Sequence, residues 1–310
     1  MLSTAACIGV GNVGRSWAIV FAKAGLNVVL WDANPTACER ALPLIRQGLR
    51  DLAEAGALAD AEAAFARVTV ASDMAAAIAG ADWIQESAAE QPDIKSALFS
   101  RIDAAAAPGA IIASSTSAIP GSLFMTGLAG SHRCLVAHPV NPPHLIPLVE
   151  LCGTADTDPD TIAAARSFME AIGQSPVHLE REVEGFLLNR LQWALLGEAM
   201  HLVGEGYCSP EDIDRVLTDG LARRWAFIGP FAVAHLNASQ GVEGYFDVLR
   251  DAISRVQNSL RTDYPPVEAV VDAAHAAMVK EVPVDAIAER QQWRDRTLLQ
   301  VDRFLGDLKR

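Results

Sequence analysis

A histidine and a glutamate stand inside the apolar, proline-rich stretch VAHPVNPPHLIPLVELC, which covers residues 136–152. An unpaired charged group is costly to bury, so His138 and Glu150 each need water or a partner. If the chain between them folds back, Glu150 orients the imidazole of His138 and stabilises its charged form, and His138 acts as a general base. The alternatives are a histidine that bonds loop carbonyls and a glutamate that faces water from an edge strand.

Two further polar sites are candidates for the same crevice. The hydroxyl cluster SSTS, residues 114–117, follows an apolar run, and Asn189 lies in the segment EGFLLNRL. Hydroxyl groups in such a position commonly cap a helix or form a turn. An amide near the start of a helix commonly bonds the helix end. A catalytic function and these structural functions both remain open for Ser117 and Asn189.

A glycine motif in CIGVGNVGRSWAIVFAKAG predicts a dinucleotide phosphate loop. Its glycines allow a tight turn, close approach of the backbone to pyrophosphate, and close packing of helix on strand. The helix that follows points its amino-terminal amides at the phosphates. An ordinary strand–turn–helix is the alternative. The residues that we expect to contact the cofactor here are Gly9, Gly11, Asn12, Val13 and Gly14.

An acid at the end of the second predicted strand identifies the cofactor. Asp32 closes NVVLWD, 18 positions after Gly14 (32 − 14). An acid at about this distance accepts hydrogen bonds from the adenosine ribose hydroxyls. Its charge would repel a 2′-phosphate, and no basic residue follows it before Arg40. The sequence therefore favours NAD over NADP.

The first half of the chain alternates short apolar runs with helical patterns, which predicts a parallel sheet covered on both faces. Seven runs are predicted strands, from AACIGV to QSPVHLER, and residues 35–66 are predicted to form a helical insertion. From about residue 184 onward the pattern is helical, with Ser209 and Pro210 starting one helix and VDAIAERQQWRDRTLLQVDRFLGDLKR forming a long outer helix. The predicted fold class is α/β: a Rossmann-type, mostly parallel sheet domain over residues 1–183, then an all-helical domain over residues 184–310.

The composition excludes several classes of partner. The 310 residues carry a net charge of −13 and no basic cluster, which argues against nucleic acid and anionic membranes. No apolar run is long enough to cross a bilayer. The five cysteines are scattered without a Cys-x-x-Cys pair, so neither a disulfide framework nor a metal site is expected. With no signal-peptide pattern at the amino terminus, we expect a cytoplasmic protein.

Taken together, these motifs resemble the 3-hydroxyacyl-CoA dehydrogenase family. The resemblance rests on SSTS, HPVN, LVEL, GFLLNRL and AAEQPDIK. It implies that Glu90 and Lys95 lie near the nicotinamide ribose, and that Ser117 and Asn141 also face the cofactor. HPVNPPHLIPLVEL, RRWAFIGPF and RQQWRDRTLL are similar to the lambda-crystallin, or L-gulonate 3-dehydrogenase, branch. Acyl-CoA-specific members usually have HFFNP where this chain has HPVNP.

The resemblance implies NAD-dependent oxidation of the C3 hydroxyl of a small 3-hydroxy acid. His138 takes the hydroxyl proton while hydride leaves C3, Glu150 orients His138, and Ser117 and Asn189 hold the reacting oxygen. The branch favours L-gulonate, oxidised to 3-dehydro-L-gulonate. L-Carnitine and a 3-hydroxyacyl-CoA such as 3-hydroxybutyryl-CoA are the alternatives. The family also implies a homodimer formed through the helical domain, with the site in the cleft between domains.

A free acid substrate needs a counter-charge, for which Arg223 and Arg224 are the candidates because guanidinium binds carboxylate bidentately. Trp225 could add an apolar wall. A surface pair of arginines at a helix end and a core tryptophan are the alternatives.

Two other classes of function compete with a dehydrogenase. A hydrolase could combine Ser117, His138 and Glu150, but the chain has no Gly-x-Ser-x-Gly elbow, and the phosphate loop would then have no purpose. A non-catalytic NAD-binding or structural protein is the other class, and the presence of Ser117, His138, Glu150 and Asn189 together argues against it.

Overall fold

The computed structural model describes residues 2–308, so the predicted ends at Met1, Lys309 and Arg310 lie outside the described residues. The chain divides into two compact units between Asn189 and Arg190. The first unit contains a single eight-stranded sheet. Its strands are β1 (Thr4–Ile8), β2 (Asn27–Trp31), β3 (Val68–Val70), β4 (Trp83–Glu86), β5 (Ile111–Ser114), β6 (Cys134–Pro139), β7 (Leu148–Gly153) and β8 (Ser175–Leu179).

The strand order is β3-β2-β1-β4-β5-β6-β7-β8, and β1 to β6 pair in parallel. β7 pairs antiparallel with β6 and parallel with β8. This confirms the predicted α/β class and the mostly parallel sheet. All seven predicted runs form strands, and β7 is an eighth that connects β6 to β8. Because the carboxyl ends of β1, β4, β5 and β6 share one edge, the residues that follow these strands meet there.

Helices connect these strands. They are α1 (Asn12–Lys23), α2 (Pro35–Glu54), α3 (Ala61–Phe65), α4 (Met74–Ile78), α5 (Pro92–Ala105), α6 (Ser122–Met125) and α7 (Pro159–Ala171), with a 3-10 turn at Ser131–Arg133. α2 and α3 form the predicted insertion between the second and third strands. The sheet is buried because helices cover it: Trp17 of α1 stacks on Phe21, and Phe168 of α7 packs on both Phe21 and Trp83.

The rest of the chain is helical, as predicted. It comprises α8 (Leu188–Gly204), α9 (Pro210–Arg215), a π-helix (Val216–Leu221), α10 (Ala222–Trp225), α11 (Pro230–Leu236), α12 (Gly241–Gln257), α13 (Glu268–Glu281), a 3-10 turn (Val284–Ala286) and α14 (Ile287–Leu308). The Ser209 hydroxyl caps α9 by accepting from the amide of Asp212 at 3.1 Å, and Pro210 is its first residue. Within residues 2–308, no helix is both long and apolar enough to cross a membrane.

Candidate active site

His138 and Glu150 face each other across two neighbouring strands. They are direct partners in the antiparallel register of β6 and β7, and opposite residues in such a pair project from the same face. His138 Nδ1 lies 2.7 Å from Glu150 Oε2, and the two side chains are 6% and 1% exposed. The predicted hydrogen bond is therefore present, and a Glu150 that faces water is excluded. When Nδ1 carries the proton donated to Glu150, Nε2 is the basic nitrogen.

The other carboxylate oxygen of Glu150 accepts hydrogen bonds from the backbone. Oε1 accepts the backbone amides of Leu187 and Leu188, at 2.8 and 3.0 Å. These amides lie at the amino-terminal end of α8, where backbone N–H groups lack intrahelical partners and favour a negative charge. Both carboxylate oxygens are thus occupied, which fixes the plane of the carboxylate and hence the position of the imidazole.

Asn189 and Ser117 also meet. Asn189 Nδ2 donates to the carbonyl oxygen of Ser117 at 2.6 Å. The Ser117 hydroxyl donates to Glu90 Oε1 at 3.2 Å, and the Ser117 amide donates to the same oxygen at 2.7 Å. The predicted residues are therefore grouped as His138 with Glu150 and Ser117 with Asn189. The segment from Leu187 to Asn189 contacts both pairs.

Glu90 lies in the loop between β4 and α5 and accepts hydrogen bonds from the turn after β5. Its Oε1 also accepts from the Thr116 hydroxyl at 2.7 Å and from the Ala118 amide at 3.1 Å. Partial burial raises the pKa of Glu90, but the hydrogen bond from Thr116 and the charge of Lys95 outweigh it, so its pKa lies below the ordinary range. Glu90 is thus held as a carboxylate that fixes the Ser117 turn.

Lys95 is buried beside two acids. Its side chain is 1% exposed, and Nζ lies 2.9 Å from Glu86 Oε1 and 3.4 Å from Glu90 Oε2. Glu86, 0% exposed, also accepts from the Ser114 hydroxyl and the Ala88 amide. Lys95 therefore touches Glu90 from inside the core and presents almost no surface for a dissolved cofactor. Sequence reasoning missed Glu86, although an acid that ends an apolar strand beside a serine-ended strand was a usable signal.

The four hydroxyls of SSTS have different partners. Ser114 bonds Glu86, and Thr116 and Ser117 bond Glu90. Ser115 Oγ accepts from Trp17 Nε1 at 3.1 Å and from Gln85 Nε2 at 2.7 Å. None of the four caps α6, whose amino-terminal cap is Gly121 without a side-chain bond. The cluster instead forms the turn that was the other structural alternative, since the Ser114 hydroxyl accepts from the Thr116 amide at 3.2 Å and the Thr116 hydroxyl accepts from the Ile119 amide at 3.1 Å.

The glycine motif has the geometry that a pyrophosphate requires. Gly9 has φ +89, in the left-handed region that favours glycine, and a Cβ on Gly14 would strike the Gly9 carbonyl oxygen. A Cβ on Gly11 would meet no atom within 4 Å, so the space above it is open. α1 begins at Asn12, as predicted, and its first turn, which includes Val13, has no acid. These features fit the phosphates of NAD.

Asp32 follows β2 and contacts the same loop. Its Oδ2 accepts the Val10 amide at 2.9 Å, and its Oδ1 accepts the Asn34 amide at 2.8 Å. The carboxylate therefore lies beside the glycine motif, where the adenosine ribose of a dinucleotide is bound in this fold.

The remaining predicted residues take no part in the hydrogen bonds described above. Asn141 is exposed in the loop after β6. Arg223, Arg224 and Trp225 are exposed on α10 of the second unit. The two arginines line a cavity of about 410 Å3 with Val216, Gly220 and Leu221 of the π-helix. Among residues 2–308, no three His, Cys, Asp or Glu side chains are grouped to hold a metal ion.

Comparison with known proteins identifies the family. Residues 4–183 match the family described as 3-hydroxyacyl-CoA dehydrogenase, NAD binding domain, and residues 185–265 match its C-terminal domain. Rabbit (Oryctolagus cuniculus) lambda-crystallin is 41% identical over 98% of this chain and 95% of its own length. An L-carnitine dehydrogenase of Streptomyces griseus is 39% identical over 98% of this chain and 90% of its own.

A solved structure has the same fold throughout. It is that of 5-formyl-3-hydroxy-2-methylpyridine 4-carboxylic acid 5-dehydrogenase, described as an NAD+-dependent dismutase. The two proteins are 29% identical and superpose with a TM-score of 0.85 over 99% of each chain. The prediction of NAD as cofactor is confirmed by the NAD-binding domain that the first family match identifies. The chain is an NAD-dependent oxidoreductase and belongs to the 3-hydroxyacyl-CoA dehydrogenase family.

Proposed function

We propose that this protein oxidises the C3 hydroxyl of a small, free 3-hydroxy acid, with L-gulonate as the first candidate. The observation that supports the proposal most directly is the buried His138–Glu150 pair at the carboxyl end of β6. A general base must accept a proton from the substrate hydroxyl, and an imidazole whose other nitrogen is bonded to a carboxylate is suited to this task. NAD, when bound, accepts the hydride from C3.

In this proposal, residues of the chain accept the proton and position the substrate. His138 Nε2 takes the hydroxyl proton, and Glu150 stabilises the imidazolium that results. Ser117 and Asn189 hold the reacting oxygen beside His138. Ser117 Oγ and Asn189 Nδ2 are bonded to Glu90 and to the Ser117 carbonyl in this structure, so the substrate oxygen must share or replace these bonds. Asn141 and Glu90 contact the cofactor in this proposal, and Lys95 contributes through Glu90.

The free-acid preference rests on HPVNP and on the relatives. Lambda-crystallin and L-carnitine dehydrogenase are similar to this chain over almost its whole length. We propose Arg223 and Arg224 as the counter-charge for the substrate carboxylate, with Trp225 beside them. Arg223 Nη2 lies 3.4 Å from Asp219, whereas Arg224 carries no ion pair among the described residues. Arg224 is therefore the arginine with its charge more available for a ligand.

The test is NADH formation with NAD and, separately, L-gulonate, L-carnitine, L-3-hydroxybutyrate and 3-hydroxybutyryl-CoA. The His138→Gln variant is assayed beside a matched control, His178→Gln, which changes an exposed histidine on β8 of the same sheet. We expect turnover of L-gulonate that falls by at least about 100-fold in His138→Gln and is unchanged in His178→Gln. Preference for the thioester would refute the free-acid assignment, and full activity in His138→Gln would refute the mechanism.

We also propose that the protein is a homodimer formed through its helical unit. That unit exposes many large apolar side chains, and large exposed apolar patches commonly mark protein–protein interfaces. Those at least half exposed between α8 and α12 include Leu191, Trp193, Leu196, Phe231, Leu236 and Val248. Sedimentation equilibrium should give twice the 33.0-kDa chain mass. A mass of one chain at micromolar concentration would refute this proposal.

A further inference from the structure

A five-residue segment, residues 185–189, is hydrogen-bonded both to Glu150 and to the turn that contains Ser117. The Gly185 amide donates to the Ala118 carbonyl at 3.3 Å, next to the Ser117 turn. The Leu187 and Leu188 amides donate to Glu150, and the Asn189 side chain donates to the Ser117 carbonyl. Phe186 is the residue in the middle, and it makes no polar side-chain contact of its own.

Phe186 has a conformation that its residue type disfavours. Its φ is +50, and within residues 2–308 it is the one non-glycine residue with positive φ. A bulky side chain in this left-handed region is uncommon, and such positions concentrate at functional sites. The conformation persists because neighbouring contacts hold it: the Phe186 amide donates to the Val183 carbonyl at 3.0 Å, and the side chain is 0% exposed.

The Phe186 ring packs against the imidazole of His138. The ring centroids are 5.3 Å apart and the planes are tilted by 35°. One face of the imidazole is therefore covered by a fully buried ring, while its edge is bonded to Glu150. Rotation of the imidazole would require the phenyl ring to move within a close-packed core.

We propose that Phe186 is a positioning residue for the His138–Glu150 pair. Its ring restricts the imidazole, and its left-handed backbone turns the chain so that the next two amides reach Glu150 Oε1. One residue thus fixes the base through its side chain and the acid through its backbone. The inference rests on the proposed function for its effect on turnover, but the arrangement itself can be tested without turnover.

The first experiment compares Phe186→Leu with a matched core variant, Phe168→Leu. Phe168 is also a buried aromatic of the first unit, 8% exposed, but it packs on Phe21 and Trp83 instead of His138. We expect Phe186→Leu to lower kcat by about 10- to 100-fold, because a small displacement of a catalytic group has an effect of that size. The KM for NAD should change by less than about twofold, and Phe168→Leu should lower the melting temperature while leaving kcat within about twofold. An equal loss of kcat in both variants, or none in Phe186→Leu, would overturn the proposal.

The second experiment tests the backbone and needs no substrate. Phe186→Gly and Phe186→Val both remove the ring, but glycine adopts the left-handed conformation freely and a β-branched residue does not. Hydrogen exchange at the Leu187 and Leu188 amides should be at least about tenfold faster in Phe186→Val than in Phe186→Gly. Equal exchange in the two variants would overturn the backbone half of the proposal. If the wild type oxidises none of the four substrates, the proposed function fails, and this exchange comparison alone decides whether Phe186 holds Glu150.

Discussion

Two of the buried acid–cation pairs of the first unit differ in the kind of cation. The Lys95 and Glu86 side chains are 1% and 0% exposed, and those of His138 and Glu150 are 6% and 1% exposed. A lysine is ordinarily a permanent cation at neutral pH, whereas a histidine gains or loses its proton there. Burial and distance are nearly the same in the two pairs, so these properties do not separate a structural pair from the pair proposed to be catalytic.

The hydrogen-bond partners of the two carboxylates do distinguish the two pairs. Glu86 has both oxygens bonded to Lys95, and it also accepts from Ser114 and the Ala88 amide. Both of its oxygens therefore contact the side chain of a lysine. Glu150 has one oxygen bonded to two backbone amides and the other to His138. A histidine beside a carboxylate can accept a proton from a substrate, as we propose for His138. A lysine that is already protonated cannot accept one, so its pairing with a carboxylate contributes to stability alone.

The largest effect is expected when the permanent cation is removed. Lys95→Met leaves Glu86 buried without its counter-charge, which should lower the free energy of unfolding by about 3–5 kcal/mol. Urea denaturation followed by circular dichroism measures this change. The double variant Lys95→Met/Glu86→Gln removes the unbalanced charge as well and should recover part of the loss. A Lys95→Met variant as stable as the wild type would show that Glu86 is not held as an ion in the core.

Removing the charge of the other acid should affect turnover more than stability. Glu150→Gln keeps an oxygen that can accept the Leu187 and Leu188 amides, so the free energy of unfolding should change by no more than about 1–2 kcal/mol. Without the carboxylate, the imidazolium of His138 loses its stabilisation, and kcat should fall by about 100- to 1,000-fold. Steady-state assays and urea denaturation of the same preparation separate the two effects. A variant that loses stability but keeps its kcat would make Glu150 a structural acid like Glu86.

The sequence was sufficient for features set by local pattern. Short runs and fixed spacings predict the strand–helix alternation, the glycine motif and the position of Asp32. The pairing of His138 with Glu150 was inferred because a carboxylate within LVEL required a partner. The antiparallel strand β7, which delivers Glu150 to its partner, remained one of two alternatives, since a short apolar run with a single charge fits a loop and an edge strand equally well.

Other features of the site depend on contacts between distant parts of the chain. Glu86 meets Lys95 from a different element, so neither residue alone shows that the other neutralises it. The side chain of Lys95 is 1% exposed and paired with Glu86, a pairing that the sequence around Lys95 does not predict. In the sequence EGFLLNRL, Phe186 looks like any other apolar residue. Its positive φ is a property of the folded backbone, and the residue type phenylalanine does not predict it.

A smaller effect is expected at Glu90, which contacts Lys95 and the Ser117 turn. Its pKa is lower in the folded protein than its ordinary value, so its contribution to stability is present above the pKa of the unfolded chain, about 4.3, and is lost as the pH falls through the lower, folded pKa. The stability difference between wild type and Glu90→Gln should therefore be constant from about pH 7 to pH 5 and shrink below about pH 4. The side chain is 37% exposed, so solvent screening should keep the difference below about 1 kcal/mol. Urea denaturation at each pH measures it, and a difference that grows on acidification would contradict the assigned direction.

The smallest effect concerns two thiols that lie on the strands of the His138–Glu150 pair. Burial raises the pKa of Cys134 on β6 and of Cys152 on β7 to about 12. At pH 8 only about one such thiol in ten thousand is ionised, and iodoacetamide reacts with the thiolate. In the native protein the label should therefore enter at the half-exposed Cys208 well before it enters at Cys134 or Cys152, as peptide mass spectrometry can show. Because Lys95→Met should lower the free energy of unfolding more than Glu150→Gln does, labelling of the two strand thiols should accelerate more in the first variant than in the second. Equal acceleration in both would mean that the two pairs support the sheet alike, and the distinction between the lysine pair and the histidine pair would then lie in turnover alone.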